Sequence, residues 1–315
     1  MTPPASMRPG RIGARRTIAL ASLCALVALA SPAVAADEQE PLTIRFGVAS
    51  DIFFDVDAKD AQAALDVWVR QIGTDLKRPL RTSGHVLSDA EALTAAIGRE
   101  ALEVVGLPSL EYLRLRDRLP IVPALVGSPR SGPQDEHVLL VRRDAGISEV
   151  KALVGKGLIV QSGSVGVMAQ AWLDILLARH GAPPATRFFG SIKQASKASQ
   201  AVLPLFFRQV HAAVVTQTSY ATLVELNPQL GREIVSLAHS PKLLMTVMCF
   251  HRKADEEVRR VVIQSALALE HSAAGRQVLL LFKIARVIPF EPAYLEGVAT
   301  LFRDHRALYG GSRRG

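Results

Sequence analysis

Residues 157–180, GLIVQSGSVGVMAQAWLDILLARH, join a short β-rich run, a serine-glycine turn and an amphipathic helix, and that succession decides the fold class. Gly157–Gln161 is apolar and β-branched enough for a buried strand. From Val165 to His180 the residues Met168, Ala171, Trp172, Ile175 and Leu176 recur at helical spacing, and Gly181 stops the helix ahead of Pro183-Pro184. The turn between them, Gln161-Ser162-Gly163-Ser164, sets two hydroxyls beside the first unpaired N–H groups of the helix, which starts at Val165. Donors and dipole at such a turn favour phosphate, phosphonate or carboxylate, and open α/β sheets bind ligands at the carboxyl ends of their strands. A plain helix cap by Ser164 is the simpler reading of the same residues.

Working outward, the same alternation runs through most of the chain. Strands are expected at Leu42–Val48, Leu80–Val86, Leu102–Leu107, Ile121–Val126, His137–Val141, Arg187–Phe189, Ala212–Thr216, Ile234–Leu237 and Leu244–Phe250. Between them lie helical periods such as Ala58–Leu76, with Ala61, Ala64, Leu65, Trp68 and Ile72 on one face. Glu256–Leu308 reads as helical throughout apart from a break at Pro289. The expected fold is α/β with two lobes, each a mainly parallel sheet flanked by helices. Ser128–Asp135 is rich in Ser, Pro and Gly and closes one block, and Asp144–Lys156 opens the next. The strands at His137–Val141 and Leu244–Phe250 are expected to cross between lobes as a hinge, which puts 36–140 plus 240–315 in lobe one and 141–239 in lobe two.

The first 35 residues read as a cleaved export signal. Arg8, Arg11, Arg15 and Arg16 precede the apolar run Ile18–Ala30, and Ala33-Val34-Ala35 follows it. Cys24 lies inside that run behind bulky Leu23, which argues against lipid attachment, and Arg15-Arg16 leaves the export route open between the general and twin-arginine systems. Removing 35 of 315 residues leaves 280, enough for two lobes with their own cores, and takes the net charge from +8 to +4. A nucleic-acid role does not fit an exported chain without a basic stripe. Cys249 is then the sole cysteine, with no partner for a disulfide, and is expected to be buried. The eight histidines show no metal-ligand spacing, and no phosphate loop or dinucleotide fingerprint is present, so neither metal nor cofactor is expected. Ser162-Gly163-Ser164-Val165-Gly166 fails the nucleophile-elbow pattern at its first glycine, while Ser148-Glu149-Val150-Lys151 fits the loose Ser-x-x-Lys pattern.

Several segments together resemble the phosphate/phosphite/phosphonate-type substrate-binding components of ABC transporters. They are Ile44–Val48, Leu107-Pro108-Ser109-Leu110-Glu111-Tyr112-Leu113, Val138–Asp144, the serine turn with Trp172-Leu173-Asp174, Ala212–Thr216, Val224–Gln229 and Gly275–Leu279. The resemblance covers nearly all the mature chain and implies a two-lobed periplasmic-binding-protein fold, type II-like, with a two-strand hinge and the ligand in the cleft. Ser162 and Ser164 match the outer residues of the family's Ser-Thr-Ser run at the helix start, where Gly163 lacks the central hydroxyl. Tyr112 corresponds to a cleft tyrosine, Ser109 of the same segment joins the candidates, and Phe53 follows the first strand where members place an aromatic contact. The chain departs from the family at His211, where an Asp is usual, and in Gly190–Gln200, which lacks a histidine. Thr216 and Thr218, at the end of another strand, either face the cleft or form an ordinary turn.

The function this implies is that of a monomeric periplasmic binding protein without catalytic activity. It takes a small anionic solute at Ser162, Gly163, Ser164 and Val165, closes on it by a hinge, and passes it to an ABC permease. Two alternatives stand beside it: an extracytoplasmic sensor for a receptor kinase, which keeps the fold and changes the output, and an exported serine hydrolase using Ser148 and Lys151.

Overall fold

The computed structural model describes residues 41–53, 58–74, 80–87 and 90–309, all within the unit Gln39–Gly315. The export signal read at 1–35 lies outside the described residues. In chain order the strands are β1 (Leu42–Ala49), β2 (Leu80–Leu87), β3 (Val104–Pro108), β4 (Ile121–Ser128), β5 (Gln134–Asp135), β6 (His137–Arg142), β7 (Gly157–Gln161), β8 (Ser191–Ala195), β9 (Ala212–Thr216), β10 (Ile234–His239), β11 (Leu243–Leu244), β12 (Thr246–His251) and β13 (Arg286–Pro289). They form a six-stranded sheet, β13-β4-β12-β3-β1-β2, and a five-stranded sheet, β10-β6-β9-β7-β8.

Both sheets are mixed rather than mainly parallel. β1 pairs in parallel with β2 and β3, but β12 runs antiparallel to β3 and β4, and β13 antiparallel to β4. In the second sheet β7 is parallel to β8 and β9, while β6 is antiparallel to β9 and β10. The antiparallel members follow from a chain that changes sheet and returns, since a returning strand enters without a crossover helix.

The crossing also differs from the expected pair. β6 lies wholly in the second sheet, buried along its length, and β12 lies wholly in the first. The chain passes between the sheets at a short antiparallel ladder instead, with Leu243 opposite Asp135 and Leu244 opposite Gln134.

Apolar periodicity explains the layers. Ala61, Leu65, Trp68 and Ile72 of the helix Ala58–Thr74 cover one face of the six-stranded sheet with Val262 and Val278, against Ile44, Phe46 and Phe250. Each fully buried side chain of this size contributes about 1.5–3 kcal/mol. A second core covers the opposite face and continues into the five-stranded sheet, through Leu107 and Val247 on one side and Leu139, Leu158 and Trp172 on the other. The terminal helix Glu296–Tyr309 was expected to finish on lobe one, yet it also reaches the helix Gly163–Arg179. His305 Nε2 lies 3.0 Å from Asp174 Oδ2, and the Tyr309 hydroxyl donates to the Asp174 carbonyl at 3.3 Å.

Two segments depart from the sequence pattern. Arg187–Phe189 is not a strand: Pro184 starts a short helix, Ala185–Phe188, whose Phe188 is buried together with the following Phe189, and the strand follows at β8. β8 is an edge strand with mostly polar, exposed side chains, so no apolar alternation marks it. The run expected to be helical through Glu256–Leu308 is interrupted by β13, whose proline is tolerated because the strand lies at a sheet edge.

Candidate ligand-binding site

A cavity of about 340 Å³ lies between the carboxyl ends of the first sheet's strands and the turn after β7. Asp51, Glu111 and Arg114 line it from one side, and Gly163, Ser164 and Gln194 from the other. The helix of the turn starts at Gly163, two residues earlier than its apolar period indicates, with Ser162 as the residue before it. Ser162 is extended there, its side chain makes no capping bond, and its N–H donates to the Ala195 carbonyl at 2.8 Å. Gly163 has a φ of 74°, a left-handed conformation that a glycine adopts without steric cost. A Cβ at this position would stand 3.8 Å from the Asp51 carboxyl carbon. The missing central hydroxyl is therefore the consequence of a backbone turn that brings the first helical amide close to an acid of the other sheet.

Ser164 Oγ is sealed from solvent and has no hydrogen-bond partner. A buried hydroxyl left in that state costs about 1–3 kcal/mol, a penalty an acceptor in the cavity would remove. Gly166 fixes the approach of helix to strand, because a Cβ there would lie 2.1 Å from the Gln161 carbonyl oxygen. The Val165 side chain is buried, and the residue does not line the cavity. Its carbonyl is held by His137, whose Nε2–H donates to it at 2.9 Å. The His137 ring is fully enclosed beside Trp172, and burial lowers its pKa to about 4, so it is neutral at physiological pH with an unpartnered Nδ1.

A second helix start faces the crossing ladder. Thr216 Oγ1 accepts from the Ser219 N–H at 3.2 Å and caps the helix Gln217–Leu226. The Asp135 carboxylate accepts from the Thr218 N–H at 3.2 Å and from the Glu136 N–H at 2.8 Å. Burial raises the Asp135 pKa, and these bonds pull against that rise. Thr216 and Thr218 border a different cavity, of about 130 Å³, which runs beneath the six-stranded sheet among Val48, Val104, Leu279 and Phe282.

The remaining candidates sit behind these surfaces. Ser109 is fully buried; its hydroxyl donates to the Leu244 carbonyl at 2.5 Å and its N–H to the Met245 carbonyl at 3.0 Å. Tyr112 is 6% exposed with its ring 6.4 Å from that of Phe290, and burial raises its phenol pKa. Phe53 packs on Phe282 at 5.1 Å. Ser109, Tyr112 and Phe53 line neither of the two cavities, and of the serine turn only Gly163 and Ser164 do, Ser162 and Val165 lying behind them. His211 Nδ1 accepts from the Gly157 N–H at 3.2 Å, and Ser148 and Lys151 are exposed away from both cavities. Cys249 is buried in the first sheet, which pushes its thiol pKa up. Asp51, Glu111, Arg114, Gln194 and Asp135 escaped the sequence reading. Asp51 lay just beyond a legible strand, and Glu111 and Arg114 flanked Tyr112, but nothing local tied them to the serine turn.

Two α/β lobes joined by a short ladder, with a ligand-sized cavity at the strand ends between them, define a two-lobed solute-binding protein. The family model described as "ABC transporter, phosphonate, periplasmic substrate-binding protein" matches residues 52–295, and the chain belongs to that family. No curated protein matches the sequence. Among solved structures, a binding protein component of an ABC phosphonate transporter from Pseudomonas aeruginosa is similar, with 12% identity, a TM-score of 0.64, and coverage of 88% of this chain and 91% of that one. PhnD1 from Prochlorococcus marinus, in complex with methylphosphonate, has 12% identity and a TM-score of 0.63 over 84% of this chain and 98% of its own. The periplasmic aliphatic sulphonate binding protein SsuA from Escherichia coli has 13% identity and a TM-score of 0.53 over 86% and 88%. These likenesses establish the two-lobed α/β fold. Among the described residues no helix is long and apolar enough to cross a membrane.

Proposed function

We propose that this protein binds a small oxyanion of the phosphonate or sulfonate kind at the turn Ser162–Val165, and carries it through the periplasm as a monomer to an ABC permease. The observation that carries the reading is the buried, unpartnered Ser164 hydroxyl at an uncapped helix start beside a ligand-sized cavity, where a turn of the side chain would bring it to the ligand. Ser162 and Ser164 donate hydroxyls, and Gly163, Ser164 and Val165 donate N–H groups, to the oxyanion. Arg114, 3.4 Å from Glu111, adds positive charge from the opposite wall. Asp51 stands where it competes for the same helix start until the ligand displaces it. Ser109, Tyr112 and Phe53 act from behind, holding the walls, and the β5–β11 ladder is the hinge on which the lobes close. The family assignment supports the transport role. The phosphonate and sulphonate named for structurally similar proteins support the ligand class.

Calorimetric titration with phosphate, methylphosphonate and methanesulfonate tests this. Ser162→Ala and Ser164→Ala each remove a bond to a charged group, worth about 1.5–3 kcal/mol, and are expected to weaken binding roughly 10- to 150-fold. Because neither hydroxyl makes a capping bond, the melting temperature should hold in Ser162→Ala, and it should hold or rise in Ser164→Ala, which removes a buried unpartnered hydroxyl. Unchanged affinity in both variants for an oxyanion that the wild type binds would remove the turn from the site.

A further inference from the structure

The apolar cavity beneath the six-stranded sheet shares no lining residue with the polar cavity at the serine turn, so it is a separate space with its own chemistry. Its wall takes Val48, Val104 and Gly106 from the sheet and Leu279 from the helix Ala273–Leu281. Asp135 of the crossing ladder and Thr216 and Thr218 at the end of β9 border its polar end, which therefore lies at the junction of the two lobes. Among the described residues the charged members of the wall are Asp135 and Lys283, opposite in sign, so the lining carries no net charge. Gly106 sits inside β3, where a glycine weakens a strand and marks a place of close approach. A Cβ there would rest on Val48 and Ile52 at ordinary contact distances of 3.4 and 3.5 Å, so the strand keeps open a space that a side chain could fill. Trp68 also belongs to the wall, and its sealed indole N–H has no acceptor among the described residues. The polar points of the wall are thus an acceptor, Asp135, and a donor, Trp68; a hydroxyl, which both donates and accepts, suits either. At about 130 Å³ the cavity approaches the apolar one of about 150 Å³ that stays dry and accepts benzene in another protein.

We infer that this cavity is a second ligand site, for an uncharged hydrocarbon molecule bearing a single hydroxyl, such as a straight-chain alcohol or a phenol. The site stands apart from the oxyanion reading and takes a different class of solute. An ion would lose its hydration here against a wall without net charge, whereas a hydrocarbon chain is well matched to it. Calorimetric titration with the primary alcohols from propanol to octanol tests this. Each methylene that enters the cavity should tighten binding about 4-fold, roughly 60-fold from propanol to hexanol, and the gain should stop once the space is filled. Hexanoate and hexylammonium, which carry a charge on a chain of the same length, should bind at least about 10-fold more weakly than 1-hexanol. Gly106→Val narrows the cavity and should weaken 1-hexanol about 10-fold or more. Leu279→Ala enlarges it and should move the plateau to longer alcohols, which keeps the test decisive if one variant folds poorly. Absence of 1-hexanol binding in the wild type overturns the site. So does an affinity that climbs with chain length without a plateau, or that is the same in the wild type and both variants, because binding is then on exposed apolar surface. Hexanoate or hexylammonium binding as tightly as 1-hexanol overturns the uncharged class. No oxyanion of the phosphonate or sulfonate kind enters these titrations, so their failure leaves the serine turn untouched.

Discussion

Two helices of the second sheet begin at the carboxyl ends of strands that lie side by side, β7 and β9, and their first turns have opposite fates. At the start of Gln217–Leu226, Thr216 and Asp135 take up backbone donors, and the turn is chemically complete. At the start of Gly163–Arg179, Ser162 makes no cap, Ser164 keeps a buried hydroxyl without a partner, and Asp51 faces the turn without a hydrogen bond to it. Both turns carry hydroxyl residues at the same place in a strand–helix unit. The difference is the reach of a carboxylate from a distant part of the chain. A helix start filled by its own protein contributes stability, and one left open contributes a binding site.

The largest expected effect that probes this contrast comes from Gly166→Ala. Its methyl group would press on the Gln161 carbonyl and force the open turn apart, at a cost of roughly 3 kcal/mol, lowering the melting temperature by about 5–10 °C. An unchanged melt would mean the turn is more pliable than its geometry implies. His137 gives an effect of similar size that depends on pH. Its folded pKa, about 4, lies below the 6.5 of an ordinary histidine, so the unfolded chain binds the proton more readily. Its contribution to stability is complete above pH 6.5 and is lost as pH falls toward 4, by about 3 kcal/mol at the lower end. Urea denaturation across that range should show a shallower fall in His137→Gln, and parallel profiles would argue against burial of the ring.

The filled turn should respond more mildly and with the opposite pH sense. Asp135→Ala strands the Thr218 and Glu136 N–H groups and is expected to cost about 1–2 kcal/mol in thermal melts. Asp135→Asn retains an acceptor and removes a charge that burial penalises. The Asp135 pKa is raised in the fold, so its contribution is complete below its ordinary 3.8 and declines as pH rises through the elevated value. The Asn variant should therefore be as stable as the wild type at pH 7 or more so, and a clear loss there would show that the ionised form is required. The smallest effect is expected at the open turn itself: Asp51→Asn removes a rival anion and should tighten phosphate or methylphosphonate binding about 2- to 5-fold. Weaker binding would make Asp51 a ligand contact instead of a competitor.

Much of the fold was legible because strand and helix periods are local. β7 and β9 begin and end where the apolar runs do, and the helix Ala58–Thr74 buries the stripe its spacing marks. The edge strands β8 and β13 were not, since an edge can be polar or hold a proline and still be paired by its neighbour. In the site, the serine turn was visible as a strand end running into a helix, but its cap state was not. A serine before a helix reads the same whether its hydroxyl caps, faces a cavity, or is sealed beside one. Local periodicity and turn chemistry thus determined the layers and the place of the turn. Only the tertiary structure decided that Asp135 completes one helix start while the other lies open opposite Asp51, and that an apolar void lies beneath the first sheet. Those outcomes depend on contacts between residues far apart in the chain, which no short stretch of sequence encodes.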